Sequence, residues 1–299
     1  MSTTPQPASP SRPAALLQAL VVVLVWGSSF VLVKMVLTDV GPLTVAGIRY
    51  TAAFLILLPF ALGRNRKRFS RAIWGQLALI GLLSYTIGNG ALFWGMKYLP
   101  ATTSSFLMGL IPLLVLALGI PLLHEYPARL QIAGLAICLA GYGLFFAPGL
   151  RSGEPLGLAI SAIGLLAFAL FGILGRGIAR DGTVGTLALT AFPLGFGGAI
   201  SLALAFAVEG MPHLTATSAA ILLWLAFVNT ALAYLLYNHA LRTLTALEMN
   251  LLLNMSPFAT ALIAALLLSE TYLPAQYLGM GIAVAGVGLS QLRGRKSPS

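Results

Sequence analysis

The sequence predicts an all-α integral membrane protein with ten transmembrane helices, arranged as two inverted five-helix repeats. Three observations lead to this fold class. Of the 299 residues, 59% are hydrophobic and only 8% are charged, which leaves too little polar surface for a water-soluble protein of this size. Apolar stretches of about 20 residues, the length that crosses a bilayer, recur along nearly the whole chain. A series of proline, glutamate, glutamine and glycine residues also occurs twice at one fixed spacing.

The apolar stretches define ten predicted spans joined by short connections. We predict helices because only helices and closed barrels satisfy their backbone hydrogen bonds in lipid, and a barrel would show short alternating strands. No connection is long enough for a soluble domain, so the function must lie among the helices. The spans are 14–36, 42–62, 73–97, 102–122, 128–147, 155–177, 184–208, 217–241, 247–268 and 274–292.

Basic residues set the predicted orientation of the chain. Of the 17 Lys and Arg residues, 13 fall in alternate connecting segments or tails, with the largest group in "RNRKRFSR" at 64–71. The positive-inside rule places these segments in the cytoplasm. Residues 1–13 and 293–299 are therefore predicted to be cytoplasmic tails, which requires an even number of spans. The net charge of +10 is explained by this topology, and no nucleic-acid partner is expected.

An internal duplication relates the two halves of the chain. The first repeat is predicted over 14–147 and the second over 155–292. Because each repeat has five spans, an odd number, the second must enter the membrane from the opposite side. Inverted repeats of this kind permit alternating access around a site at the membrane midplane. Adding 145 takes Pro112 to Pro257, Glu125 to Glu270, Gln131 to Gln276, Gly134 to Gly279, Gly141 to Gly286 and Gly143 to Gly288.

The duplicated residues have structural roles in our interpretation. Pro112 and Pro257 interrupt helical hydrogen bonding and are predicted to bend their helices. All six glycines are predicted to allow close helix contact, as small residues do in membranes. Glu125 and Glu270 end apolar runs and can cap or tether the next turn. The single cysteine, Cys138, lies inside a span and is assigned to packing.

These repeated motifs, together with "WGSSF" at 26–30, resemble the drug/metabolite transporter superfamily in its ten-helix EamA-type branch. The resemblance covers about residues 14–292, and it is strongest to the bacterial aromatic amino acid exporter subgroup. It implies a secondary transporter of the bacterial inner membrane that exports small metabolites. Amino acids, including those with aromatic or other large apolar side chains, are the expected substrates. The family also implies a central cavity formed mainly by spans 1, 3, 4, 6, 8 and 9.

Polar and aromatic residues inside these spans are the candidates for the substrate site, because polar groups in lipid are costly. Amides and hydroxyls can bind the ammonium and carboxylate of an amino acid, and aromatic rings can form an apolar wall. Hydrogen bonding between helices and simple packing are the alternatives for each residue. Ser105 is repeat-equivalent to Asn250, and Gly109 to Asn254. The predicted substrate-binding residues are Trp26, Ser29, Tyr85, Asn89, Phe93, Ser105, Met108, Phe168, Phe171, Tyr234, Asn238, Asn250 and Asn254.

Two charged residues leave alternatives open. Arg49, in the second span, can extend to the outer interface, attract a substrate carboxylate or pair with Asp39, and the first of these is favoured. Glu248 can be a proton site, but an acid at the start of a helix is also favoured by the helix dipole.

Other protein classes fit the sequence less well. Three histidines, the absence of H-x-x-x-H and C-x-x-C patterns and the absence of a nucleotide-binding motif argue against an enzyme, a metal or a cofactor. A multidrug or other metabolite transporter of the same fold is one alternative, and a membrane receptor or scaffold that binds a small ligand without flux is another. The expected partners are a small-molecule substrate and membrane lipid, with a monomer as the working assumption.

Overall fold

The computed structural model describes residues 9–37, 39–64, 69–95, 98–99, 101–149, 154–268 and 272–292, and every regular element in these ranges is helical. Seven stretches of the described residues are long and apolar enough to cross a membrane. Leu17, Phe60 and Leu223 are 63%, 64% and 61% exposed, and apolar exposure on this scale suits lipid rather than water. The chain is therefore a multi-pass helical membrane protein.

The helices follow one another through short connections. They are α1 (Arg12–Val36), α2 (Pro42–Arg64), α3 (Arg71–Gly81), α4 (Asn89–Gly95), α5 (Ala101–Met108), α6 (Ile111–Leu123), α7 (Arg129–Phe146), α8 (Pro155–Asp181), α9 (Thr186–Val208), α10 (Ala216–Ala226), α11 (Ala233–Ala240), α12 (Ala246–Leu253), α13 (Ser256–Leu268) and α14 (Pro274–Gln291). A π-helical turn joins α3 to α4, and a second joins α10 to α11.

Two prolines coincide with breaks between consecutive helices. The last residue of α5 is Met108, four positions before Pro112, and the last residue of α12 is Leu253, four positions before Pro257. A proline ring clashes with the carbonyl four residues earlier and donates no backbone hydrogen bond. Each helix therefore stops at that carbonyl and resumes after a turn.

The helix boundaries repeat along the chain. Both ends of α3, α5, α6 and α7 coincide with those of α10, α12, α13 and α14 after a shift of 145 residues. The caps repeat as well. The Ser70 hydroxyl accepts from the Ile73 N–H at 3.3 Å, and the Thr215 hydroxyl accepts from the Ser218 N–H at 3.1 Å. Similar local sequences therefore form the same local structure in the two halves.

The helices pack into two compact units. Unit 1 comprises Met1–Gly90 and Leu174–Leu244, and unit 2 comprises Ala91–Ile173 and Thr245–Ser299. Each unit takes helices from both halves of the sequence. The packing units are therefore a different division of the chain from the two predicted sequence repeats.

In unit 1, α2 packs closely against α9. A Cβ on Gly47 would meet the backbone of Leu202, and a Cβ on Gly195 would meet the ring of Phe54. From the first contact to the second, the residue number rises in α2 (47 to 54) and falls in α9 (202 to 195). The two helices are therefore antiparallel. Glycine permits this approach because it has no side chain to separate the backbones.

In unit 2, α7 packs against α14 in the same antiparallel manner. A Cβ on Gly134 would meet the carbonyl oxygen of Gly286, and a Cβ on Gly141 would meet that of Gly279. The shift of 145 takes Gly134 to Gly279 and Gly141 to Gly286, so exchanging the repeats exchanges the two contacts. The pair α7 and α14 therefore has a local two-fold relation.

The other two repeated glycines do not make this contact. A Cβ on Gly143 or on Gly288 would meet no described atom within 4 Å. The prediction that they allow close helix contact is therefore wrong. Each lies two residues beyond a contact glycine, which turns it about 200° around the helix and away from the interface.

Candidate functional site

Unit 1 contains two π-helical turns, Leu82–Gly88 after α3 and Phe227–Leu232 after α10. π-helical turns are rare and occur frequently at functional sites. Each inserts an extra residue into the helix, so that the hydrogen-bond ladder passes over one carbonyl group. In lipid such a carbonyl needs another donor, and side chains from neighbouring helices supply it in both turns.

The first turn releases the carbonyl of Tyr85. In a regular α-helix the N–H of Asn89 would bond this oxygen, but it bonds the carbonyls of Ser84 and Thr86 instead. The hydroxyl of Ser201, in α9, donates to the Tyr85 carbonyl at 3.0 Å. The π turn is thereby tied to α9.

The second turn releases the carbonyl of Asn229 in the same way. The N–H of Ala233 bonds the carbonyls on either side of it. Trp26 Nε1, in α1, donates to the Asn229 carbonyl at 3.1 Å, and Arg49 Nη2, in α2, donates to it at 3.0 Å. One backbone oxygen therefore holds an indole and a guanidinium side by side.

The side chain of Asn229 also binds α1. Its Nδ2 donates to the Val25 carbonyl at 2.5 Å and to the Ser28 hydroxyl at 3.2 Å. Its Oδ1 is buried and has no hydrogen-bond partner among the described residues. Asn229 is thus a connection between α1 and the π turn that sequence inspection did not single out.

Arg49 is oriented by three neutral acceptors. Nε donates to the Thr230 hydroxyl at 2.6 Å, Nη1 to the Ser29 hydroxyl at 3.0 Å and Nη2 to the Asn229 carbonyl. The guanidinium carbon lies 5.7 Å from the centroid of the Tyr50 ring. A charged arginine at the centre of a membrane helix costs about 2.5–3.5 kcal/mol on insertion scales, and these hydrogen bonds lower the cost of holding Arg49 within its helix.

This geometry corrects the favoured prediction for Arg49. Its side chain does not extend to the outer interface, because it bonds Ser29 and Thr230, which are 7% and 0% exposed. Pairing with Asp39 is not seen either. Asp39 instead accepts from the hydroxyls of Thr215, at 3.1 Å, and Ser218, at 2.5 Å.

Five aromatic side chains form a continuous cluster around this region of unit 1. Trp26 lies 5.0 Å from Tyr234 and 5.7 Å from Tyr237 between ring centroids, Tyr85 lies 5.3 Å from Tyr234, and Tyr50 lies 4.6 Å from Tyr85. The structure therefore brings together three of the predicted residues, Trp26, Tyr85 and Tyr234. Sequence reasoning missed Tyr50 and Tyr237. Tyr237 lies three residues after Tyr234, a spacing that places both on one helical face and could have identified it. Tyr50 is in α2, from which no substrate-binding residue was selected.

The predicted amides donate to protein groups at short range. Within unit 1 the acceptors are close to the π turns and α9, and within unit 2 they lie in α12 and at the end of α5. Asn254 is bonded to Gly109, its own repeat equivalent. The four contacts are Asn89 Nδ2 to the Ser84 carbonyl at 2.7 Å, Asn238 Nδ2 to the Thr190 hydroxyl at 3.0 Å, Asn250 Nδ2 to the Ala246 carbonyl at 2.9 Å and Asn254 Nδ2 to the Gly109 carbonyl at 2.9 Å.

The remaining predicted site residues belong to unit 2. Met108 and Phe168 are half-buried, and Phe171 is buried. The side chains of Phe93 and Ser105 lie outside the part of the chain that the structure describes.

The start of α12 is capped by acidic residues of unit 2. Glu248 and Thr245 form a reciprocal capping box, with bonds of 2.9 and 3.1 Å. Gln131 Nε2 donates to Glu248 at 3.2 Å, and Glu125 accepts from the Ala246 N–H at 3.2 Å. This geometry agrees with the interpretation of Glu248 as a helix-start acid. In the described ranges no group of three or more His, Cys, Asp or Glu residues could hold a metal ion.

The fold and these buried polar contacts define a multi-pass helical membrane protein whose chemistry-bearing residues lie within the helices. The sequence model of the EamA-like transporter family matches residues 13–147 and 155–291. The chain belongs to this family of transporters, which is part of the drug/metabolite transporter superfamily.

Several curated relatives are similar over most of their length. "Uncharacterized inner membrane transporter YedA" of Escherichia coli K12 is 27% identical, over 90% of this chain and 88% of the relative. "Uncharacterized transporter YyaM" of Bacillus subtilis is 27% identical over 80% and 81%, and "Protein PecM" of Dickeya dadantii is 28% identical over 86% and 85%. A solved crystal structure aligns with a TM-score of 0.79 and 18% identity, over 93% of this chain and 96% of that one. At that identity the likeness shows the fold alone.

Proposed function

We propose that the protein is a secondary transporter that exports small metabolites, principally amino acids that include aromatic or other large apolar ones. Transport occurs by alternating access around a central midplane cavity, with ten spans in the bacterial inner membrane and both termini in the cytoplasm. The observation that carries this proposal is the match of a transporter family to both halves of the chain.

The packing within each unit supports inverted five-helix repeats. Equivalent helices, α2 with α9 and α7 with α14, run in opposite directions, as inversion requires. The hydrogen bond from Asn254 to Gly109 joins two repeat-equivalent positions, which is expected where a two-fold axis passes. Inverted repeats can exchange conformations and so move an opening from one membrane face to the other.

The aromatic cluster of unit 1 supports substrates with large apolar side chains. Tyr234 lies 5.0 Å from Trp26 and 5.3 Å from Tyr85 between ring centroids, so the three rings form one continuous apolar group. Such surfaces suit an apolar side chain better than they suit a highly polar metabolite. The cluster therefore supports the aromatic amino acid exporter subgroup, and the transport assay separates it from the multidrug alternative, whose substrates are also apolar.

A substrate panel in proteoliposomes tests the proposed function. Radiolabelled aromatic, aliphatic and small amino acids, together with lipophilic cations, are assayed with and without an imposed pH gradient. We expect saturable flux of large apolar amino acids. Flux of lipophilic cations alone would favour the multidrug alternative, and binding without any flux would favour a receptor or scaffold.

Variants of the predicted site should separate contacts to the common ends of an amino acid from contacts to its side chain. We expect Asn254→Ala and Asn89→Ala to weaken transport of every substrate about fivefold in apparent affinity, because a neutral hydrogen bond contributes on the order of 1 kcal/mol. Tyr85→Ala and Phe168→Ala should instead change the ranking of aromatic against small substrates. Rates are normalised to folded protein in the membrane. Unchanged affinity and ranking in all four well-folded variants would refute this site.

Cysteine accessibility tests the proposed topology. In a Cys138→Ala background, Arg66→Cys should react with a membrane-impermeant maleimide only from the cytoplasmic side. Glu154→Cys should react only from the outside, because three predicted spans separate it from position 66. Glu209 is also predicted to face outward, but it is left unchanged because its carboxylate caps α2. Labelling of positions 66 and 154 from the same side would contradict both the inversion and the mechanism built on it.

A further inference from the structure

Helix packing in unit 1 does not explain why a charged residue, Arg49, lies among its helices. The guanidinium lies among buried groups of three helical segments, yet each of its hydrogen-bond partners in the described ranges is neutral. Two tyrosine residues and a tryptophan close by add aromatic surface but no negative charge. A membrane-embedded cation without an acidic partner marks a site where an anion can be stabilised.

The guanidinium is held in a fixed orientation with donor capacity to spare. It carries five N–H groups, and three of them point to Thr230, Ser29 and Asn229. The other two have no partner in the part of the chain that the structure describes, and the side chain is only partly buried. An arginine that only connected helices would be expected to use all five N–H donors and to be fully buried. Arg49 is held in a fixed orientation, but it uses three of its five donors among the described residues.

The neighbouring groups indicate what the anion is attached to. Arg49 and Trp26 donate to the same oxygen, the carbonyl of Asn229. Trp26 in turn contacts Tyr234 at 5.0 Å between ring centroids. A ligand whose anionic group met the guanidinium would therefore lay its remaining atoms against the aromatic cluster.

We propose that Arg49 binds the carboxylate of the transported metabolite, so that the substrate class is small carboxylic acids with an apolar body. The proposal rests on the proposed transport function and names the chemistry of its site. A carboxylate matches the single positive charge, and its two oxygens match the two remaining donors of a planar fork. Phosphate esters, with more charge, are disfavoured by the absence of a second cation in this cluster of described residues.

Paired ligands test the proposal on the full-length protein in nanodiscs. Binding of L-phenylalanine and L-leucine is compared by calorimetry with binding of L-phenylalaninamide and L-leucinamide, which keep the ammonium and side chain and lack the carboxylate. We expect the wild-type protein to prefer the acids at least tenfold. In Arg49→Gln, affinity for the acids should fall roughly tenfold or more, as expected for a charge-assisted hydrogen bond. Affinity for the amides should change less than about twofold, within the ordinary effect of a neutral substitution.

Two further variants separate binding from folding. Arg49→Lys keeps the charge without the planar fork and should retain a reduced preference for the acids, which decides the matter if Arg49→Gln does not fold. Arg176→Gln is the matched control. Arg176 is another arginine of unit 1, in α8, and it donates to the Leu241 carbonyl at 2.6 Å. Its loss should leave the preference for acids intact.

Several results would contradict the proposed carboxylate site. Equal affinity of the wild-type protein for acids and amides would overturn the proposal, and so would a parallel loss of both in Arg49→Gln and Arg49→Lys. Stronger competition by inorganic phosphate than by the acids would overturn the choice of carboxylate. Because binding is measured without flux, a failure of the transport assay alone contradicts the proposed function and leaves the carboxylate site standing.

Discussion

Replacing Gly141 with leucine is expected to prevent stable folding. A Cβ at this position would meet the backbone nitrogen of Ala283 and the carbonyl oxygen of Gly279. Backbone atoms cannot move aside as a flexible side chain can, so α7 and α14 would have to separate. Overpacking of an ordinary core costs about 1–3 kcal/mol, and we expect a value at or above the top of this range. Thermal unfolding in detergent and size-exclusion chromatography measure the effect.

The same helix supplies a matched control. Gly143→Leu adds the same side chain where no described atom lies within 4 Å, and it should change stability by no more than about 0.5 kcal/mol. Gly286→Leu should behave like Gly141→Leu, because its Cβ would meet the backbone of Cys138. Equal stability of the Gly141 and Gly143 variants would show that the packing of α7 on α14 is incorrectly described.

Glu209→Ala is expected to produce the second large effect. The carboxylate accepts from the backbone N–H groups of Leu43 and Thr44, at 2.9 and 2.8 Å, and from the Thr44 hydroxyl at 2.7 Å. It therefore caps the start of α2 from the far end of α9, and its charge complements the helix dipole. We expect a loss of about 2–3 kcal/mol, in the range for hydrogen bonds to a charged group. The measurement is again thermal unfolding of purified protein.

Two further variants serve as comparisons for Glu209→Ala. Glu209→Gln keeps an acceptor oxygen and loses the charge, so its stability should fall between those of the alanine variant and the wild type. Glu154→Ala removes an exposed glutamate at the start of α8 and should have little effect. If Glu209→Ala were no less stable than Glu154→Ala, the tertiary cap would contribute nothing measurable.

The arginine in α2 shows how far sequence reasoning reaches into the site. Its position inside an apolar span marked Arg49 as unusual, and attraction of a substrate carboxylate was one of three alternatives. The choice among them depended on which acceptors lay within reach. Thr230 is 181 positions away along the chain, and no local pattern relates the two residues.

The π-helical turns were equally inaccessible from the sequence. The apolar run over 73–97 predicts a continuous helix, and the observed segment is indeed helical from Arg71 to Gly95. The release of the Tyr85 carbonyl within it depends on one extra residue in the hydrogen-bond ladder. One extra residue rotates the later side chains by about 100° around the helix, and a largely apolar span has no clear polar face on which hydrophobic periodicity would show that rotation.

The sequence by itself determined the membrane character, the helical class, the approximate limits of the helices and the duplication. These properties follow from composition and from spacing along one chain, since lipid requires each span to satisfy its own backbone. Only the tertiary structure decided which glycines are contact points, which carbonyls the π turns release and which groups orient Arg49. Those outcomes depend on the distance between atoms of different helices, and that distance is set by packing between segments that no local pattern in the sequence relates.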